Sequence, residues 1–474
     1  MKTVHFKLIK KILLGLFALV ISLFVIGYLA FYFLVQTNLD HYKNELIEQI
    51  SKATNKKVTI ETFDANWNVT NPQFIIKNFS IYANSSEKSF TFEKFEVDVS
   101  WMSLLKFELV LDQVTLYDLA LEIQKNNETD YLIGGLKVSY DPDSNDEVDG
   151  KLINWILNQD EVQMINAKII WIDKTRANSP PLILSDINLS YSTSDILSYL
   201  DRHLFYLDFF SSAGTKEKIS LSGHFDADSI DELLESDGAL SFKFDDLNLY
   251  AFSPWINYPL TIKDGTGSLS INIEFENGKL KEGGSSFSIQ NLNANTIDNT
   301  KQGLVFNDIS GEINYKLIND DINIILDNLF LTTNSKLQFE DSAASIKYNL
   351  KANQINKVKL VVDRFDLGSV KEISNQFLPE EHRTNVIINE LSAKGEIDDL
   401  KLNWHRTKDG EGPSLKLKAK LLEIEINEFE SFPGLKNVTG EVKIENEKGI
   451  IRSVSRDLII TKKDVFRAPL QLNQ

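Results

Sequence analysis

The stretch Leu415-Lys-Leu-Lys-Ala-Lys-Leu-Leu-Glu-Ile-Glu-Ile426 decides the fold class. Leu415, Leu417, Ala419 and Leu421 alternate with three lysines; Leu422, Ile424 and Ile426 then alternate with Glu and Asn. A period of two sends successive side chains to opposite faces, so each half reads as a strand with one apolar and one polar face. The phase slips at Leu421-Leu422, which predicts a bulge or corner at that point.

The same alternation recurs through most of the chain. Phe90 and Phe92, then Phe95, Val97 and Val99, alternate with Thr, Glu, Asp and Ser; Phe107, Leu109 and Leu111 follow the same rule. So do Leu119, Leu121 and Ile123, and the run Ile219, Leu221, Gly223, Phe225. Leu269, Ile271, Ile273 and Phe275 lead into Asn277-Gly278, a pair suited to a type I′ turn because both central residues need positive φ. Helical spacing is rarer. Asn38 or Asp40 can cap a helix through about Ala53, with Leu39, Tyr42, Leu46, Ile47 and Ile50 on one face. Further short helices are expected near Lys151–Leu157, Ser229–Glu235 and Leu367–Phe377.

Composition narrows the function. The 474 residues carry 50 Lys and Arg against 68 Asp and Glu, a net charge of −18 that a nucleic-acid backbone would repel. With no Cys there are no disulfides, thiolate zinc sites, iron–sulfur clusters or Cys nucleophiles. Charged residues at 25% and aromatics at 10% indicate a folded chain.

The N-terminus fixes the expected compartment. Ile12 to Val35 contains no charged side chain and would make about 36 Å of helix, enough to cross a bilayer core of about 30 Å. Lys2, Lys7, Lys10 and Lys11 precede it, and Asp40, Glu45 and Glu48 follow, which places the N-terminus in the cytoplasm and the rest across the membrane. The apolar run exceeds the ~7–15 residues of a signal-peptide core, and Tyr28-Leu29-Ala30 is a poor cleavage site, so a retained anchor is expected. The expected organisation is a basic tail (1–11), the anchor (12–35), a helix and first sheet segment (36–140), an acidic loop with a short helix (141–160) and a repeat-like sheet (161–474).

No catalytic constellation emerges. No two of His5, His41, His203, His224, His382 and His405 have zincin spacing. The Asp141 loop begins like an EF-hand but places Asp146 at the required Gly and Leu152 at the bidentate Glu. Walker A, G-x-G-x-x-G and G-x-S-x-G are all missing, and the expectation is a non-enzyme with no cofactor and no metal site. Asp226 and Glu380 are the acids a hydrolase reading would use. An internal repeat does show: Phe306-Asn-Asp-Ile-Ser-Gly-Glu-Ile-Asn-Tyr315 aligns without gaps to Leu435-Lys-Asn-Val-Thr-Gly-Glu-Val-Lys-Ile444. Leu391-Ser-Ala-Lys-Gly-Glu-Ile397 is a looser relative, and such repetition favours a stacked, elongated body.

The fold expected is mainly β: an N-terminal transmembrane helix, then an elongated, repeat-like antiparallel sheet with few short helices. Its apolar face must be covered by a second sheet, by closure, or by something other than protein. An open, taco-like trough would carry acyl chains, whereas a sandwich would bury the same face on itself. Periodicity does not separate the two. Phe90, Phe92, Phe95, Val97, Val99, Phe107, Leu109 and Leu111 are the candidate lipid-facing residues, and ordinary packed core is their alternative. Trp67 and Trp101 read as structural, anchoring the first strands near the membrane.

Several local patterns, in order, resemble the AsmA-like superfamily and its YhdP-type proteins of Gram-negative envelopes. They are Tyr42-Lys-Asn-Glu-Leu-Ile-Glu-Gln-Ile50, Thr54-Asn-Lys-Lys-Val-Thr-Ile60, Phe63-Asp-Ala-Asn-Trp67, Pro72-Gln-Phe-Ile-Ile76 and Val97-Asp-Val-Ser-Trp-Met-Ser-Leu-Leu105. Phe432-Pro-Gly-Leu-Lys-Asn-Val-Thr-Gly440 and Val465-Phe-Arg-Ala-Pro-Leu470 add to them. Similar proteins are considerably longer, so the chain reads as the N-terminal portion of one. The resemblance implies a periplasmic bridge, anchored in the inner membrane, whose sheet passes phospholipids toward the outer membrane. Its implied partners are membrane phospholipids, the inner membrane, and an envelope protein or a further C-terminal part. An envelope assembly factor acting through protein contacts is the alternative.

Overall fold

The computed structural model describes Ser22, residues 25–29, 31–33, 35–68, 71–82, 88–100, Ser103, 111–139, Leu157, 159–176, 179–194, 202–227, Glu232, 235–258, 260–295, 304–334, 338–407, 413–446 and 448–473. The chain forms two compact units, Met1–Ser212 with His224–Leu233, and Ala213–Gly223 with Leu234–Gln474.

Much of the expected anchor, 12–35, lies outside the described residues; Ser22, 25–29 and 31–33 are helical, and among the described residues no helix is long and apolar enough to cross a membrane. A 3-10 turn (Gln36–Asn38) and helix α1 (Leu39–Thr54) follow. Strands β1 (Lys57–Thr59) and β2 (Thr62–Asn68) both pair with β3 (Asn71–Tyr82), which pairs with β4 (Lys88–Val99). Strands β5 (Leu111–Tyr117) and β6 (Ala120–Lys125) both lie against β4, and a short meander, β7 (Asp130–Ile133) and β8 (Leu136–Ser139), follows. Strand β9 (Glu161–Asp173) runs parallel to β5 and β6, and β10 (Leu182–Ser194) and β11 (Arg202–Ser211) continue antiparallel. This parallel pairing departs from the antiparallel sheet expected. The chain from β6 to β9 is long enough for the crossover that parallel strands require.

Strand β12 (Ile219–Asp226) starts in the second unit and ends in the first. The second unit is otherwise an antiparallel meander in which sequence neighbours pair: β13 (Asp237–Asn248), β14 (Thr261–Glu276), β15 (Lys279–Asn295), β16 (Leu304–Ile318), β17 (Asp321–Thr333), β18 (Gln338–Asn349) and β19 (Gln354–Asp366). A helical hairpin, α2 (Leu367–Phe377) and α3 (Arg383–Leu391), precedes β20 (Lys394–His405), which pairs back with β19. Next come β21 (Ser414–Ile426), β22 (Gly434–Glu445), β23 (Lys448–Ser453), β24 (Asp457–Thr461) and β25 (Leu470–Asn473). The bounds of α2 are those its sequence predicted. Asp366 caps it by accepting from the Ser369 N–H. Helix α3 was not foreseen, because Arg383-Thr-Asn-Val-Ile-Ile-Asn-Glu-Leu391 lacks a clean apolar period. At the Asn277-Gly278 turn both residues have positive φ, 51° and 66°, as expected.

One local device repeats in both units. Asn78, Asp118, Asn166, Asp186, Asp246, Asn291, Asn328, Asp399, Glu423 and Asn437 have φ between 49° and 58°, within a strand or between two that continue each other. Each is third in a Φ-x-[Asn/Asp/Glu]-Φ stretch, such as Ile76-x-Asn78-Phe79, Leu184-x-Asp186-Ile187 or Leu435-x-Asn437-Val438. Asn and Asp tolerate the left-handed region best among residues with a Cβ. The extra residue breaks the period of two, so apolar residues three apart face the same side. Ile76 and Phe79 share one core cluster, Ile397 and Leu400 another, and Leu421 and Ile424 a third. The phase slip read at Leu421-Leu422 is one of these bulges: the β21–β22 register shifts between Leu421 and Ile424.

Candidate functional site

The eight candidate lipid-facing residues fall along β4, β5 and the chain between them. Phe107 and Leu109 lie outside the described residues, as does Trp101. Phe90, Phe92 and Phe95 join the core cluster built on Ile76, Phe79 and Ile81 of β3, and Leu46, Ile47 and Ile50 of α1 pack onto it. Phe79 and Phe92 are cross-strand partners whose rings stack at 4.6 Å. Such a pair adds about 0.5–1.5 kcal/mol beyond its buried area. Val97, Val99 and Leu111 pack with Val114, Val162 and Tyr191 in a second cluster. Trp67 touches the segment before α1, its ring 5.3 Å from Tyr28 and 5.5 Å from Phe31.

The second unit carries its apolar face differently. Phe242, Ile271, Ser285, Ile313, Leu326, Ala344, Leu360, Leu402, Leu417 and Ile444 are successive cross-strand partners from β13 to β22. Directly paired residues share a face, so these form one row across the strands. A second row, two residues along, begins at Leu240 and Ile273, passes Gly283, Tyr315, Ile324, Ile346 and Val358, and ends at Trp404 and Leu415. Gly283 leaves space for the Tyr315 ring; a Cβ there would sit 2.7 Å from it and 2.6 Å from the Asn272 carbonyl oxygen.

Beyond the left-handed positions the same strands are covered. Ile373 of α2 packs on Leu292, Ala294 and Phe306, and Leu367 on the cluster of Leu421, Ile424 and Val438. Among the described residues no helix packs on the two rows, and Ile313, Ile324 and Ile346 stay 37%, 39% and 37% exposed. An apolar surface continuous over neighbouring strands and left partly open is what an acyl chain needs. The alternation pointed to candidates within 90–111 and not to these rows. Alternation marks every strand equally, and only register shows which residues align.

The polar groups near these faces have structural partners. The Asp226 carboxylate accepts two hydrogen bonds from the Arg202 guanidinium, both at 2.8 Å. That pairing holds its pKa below the ordinary carboxylate value, against the opposing effect of burial. His203 is buried, and its Nε2 faces the Ala227 carbonyl oxygen, which can only accept, so the ring proton sits there. Its Nδ1 lies 2.7 Å from the Tyr191 hydroxyl, which also reaches the Leu157 carbonyl at 3.1 Å. Glu380 is exposed. Among the described residues no group of three or more His, Asp or Glu could hold a metal ion.

No curated relative matches the chain. The family model described as YhdP protein matches residues 1–474, the whole chain. The chain thus belongs to the YhdP family, the AsmA-like envelope proteins to which its sequence motifs pointed.

Proposed function

We propose that this protein is anchored in the inner membrane by Ile12–Val35, lies otherwise in the periplasm, and moves phospholipids between inner and outer membranes along its apolar sheet face. The carrying observation is the pair of apolar rows that start on β13 and run to β22 and β21, left partly open at Ile313, Ile324 and Ile346. Water opposes lipid movement because each exposed CH₂ costs about 0.8 kcal/mol, tens of kcal/mol for two acyl chains. A face that always offers the chains an apolar neighbour removes most of that barrier. It needs no catalytic group and no cofactor. For the anchor, hydropathy and the flanking lysines are the support, together with Trp67, which seats the first strands against Tyr28 and Phe31.

Photo-crosslinking in cells tests this. A photoreactive residue at Leu326 or Leu360, on an apolar row, is expected to give phospholipid adducts by mass spectrometry, whereas Ser286 or Glu312, cross-strand partners on the other face, give none. Adducts to protein alone at Leu326 and Leu360 would replace the proposal with an assembly factor acting through protein contacts.

A further inference from the structure

The opposite face of the same strands sets lysines directly against one another, an arrangement that folding does not favour. Lys401, Lys418 and Lys443 are successive cross-strand partners on β20, β21 and β22. Their Cβ atoms are thus about 5 Å apart, and like charges directly opposite destabilise a sheet. Lys347 and Lys357 form a second such pair on β18 and β19. Nearby acids neutralise only part of the group, Asp321 meeting Lys347 at 2.9 Å. Glu445 pairs with Lys416 at 2.8 Å, Asp399 with Lys420, and Glu441 reaches Lys443 only at 3.9 Å. Lys357, Lys359, Lys401 and Lys418 have no ion-pair partner within 4.0 Å among the described residues. All this occurs in a chain whose net charge is −18.

Apolar side chains bracket the lysines. In their register row Lys401, Lys418 and Lys443 lie between Val361 and Ile450, which are 41% and 60% exposed. A basic centre flanked by exposed aliphatics matches an anionic bilayer surface, where ammonium groups meet phosphates and aliphatic side chains enter the interface. An acidic polypeptide would use the charge but not the flanks. We infer that this lysine face of the second unit docks on a bilayer of anionic phospholipid. The inference does not rest on lipid transfer along the apolar rows, which lie on the other face.

A tethering assay tests it. The full chain, held through its N-terminus in pure phosphatidylcholine nanodiscs, is mixed with vesicles of equimolar phosphatidylglycerol and phosphatidylcholine, and vesicle capture is read by flotation. Capture is expected for these vesicles and not for pure phosphatidylcholine. It should disappear toward 1 M salt, where the Debye length is about 3 Å. A lysine near an anionic surface is worth about five-fold in partitioning, so Lys401→Gln with Lys418→Gln should lower capture about 25-fold. The charge-keeping pair Lys401→Arg with Lys418→Arg should capture like the parent, which separates lost charge from lost folding. Lys174→Gln with Lys279→Gln, away from the patch, should change nothing. Equal capture of phosphatidylcholine vesicles, indifference to the Gln pair, or binding of polyglutamate or inorganic phosphate without vesicle capture would each overturn the inference. Loss of photo-adducts at Leu326 would leave it standing.

Discussion

Replacing Asn437 by Val or by Gly separates the left-handed backbone from every other contribution at that site. Asn437 has φ 58° and precedes Val438, whose side chain is 1% exposed in the cluster with Leu421 and Ile424. A β-branched residue held in this region costs about 1–3 kcal/mol. Either substitution also removes the hydrogen bond from Asn437 Nδ2 to the Asp457 carbonyl at 3.2 Å, worth about 1 kcal/mol. Val should therefore destabilise the bulge by about 3 kcal/mol and Gly by about 1 kcal/mol. Hydrogen exchange of the peptide spanning 434–445 reads these costs as about 150-fold and about five-fold faster opening, since 1.4 kcal/mol is tenfold. Lys436→Val, an exposed neighbour in the same strand, should stay within about two-fold. If Gly is as damaging as Val, the cost comes from lost side-chain contacts, and the bulges do not set the phase of these strands.

Tyr191→Phe removes the hydroxyl that joins His203 Nδ1 and the Leu157 carbonyl in a buried site, and should cost about 1–3 kcal/mol in urea denaturation. Gly283→Val places carbon against the Tyr315 ring and the Asn272 carbonyl, so about 1–3 kcal/mol is expected, with faster exchange in β15 and β16. The Asp226 carboxyl has a lowered pKa in the folded state, so its pairing stabilises fully above the ordinary carboxylate pKa. That stability is lost as pH falls through the lowered value. Thermal melting of Arg202→Leu should therefore be less acid-sensitive than the parent; identical acid profiles would show that the pair does not contribute.

Much of the fold was legible because one face of each strand is apolar, and a period of two survives in a single sequence. The strands around Phe92, Leu221, Ile271 and Leu417, the α2 bounds, the Asn277-Gly278 turn and the break at Leu421-Leu422 all came from local pattern. The left-handed residues stand in the sequence as ten Φ-x-[Asn/Asp/Glu]-Φ stretches. Read singly, each passes for an irregular alternation; only their recurrence marks them as one device.

The sequence by itself determined which residues could be apolar-facing and which family the chain resembles, because both are written in neighbouring positions. Three features came from the tertiary structure alone. Parallel pairing of β9 with β5 and β6 depends on how a long connection returns. The apolar rows from Phe242 to Ile444 and the facing lysines Lys401, Lys418 and Lys443 depend on cross-strand register. Register joins residues tens of positions apart through backbone hydrogen bonds, and a one-residue slip would send each side chain to the other face.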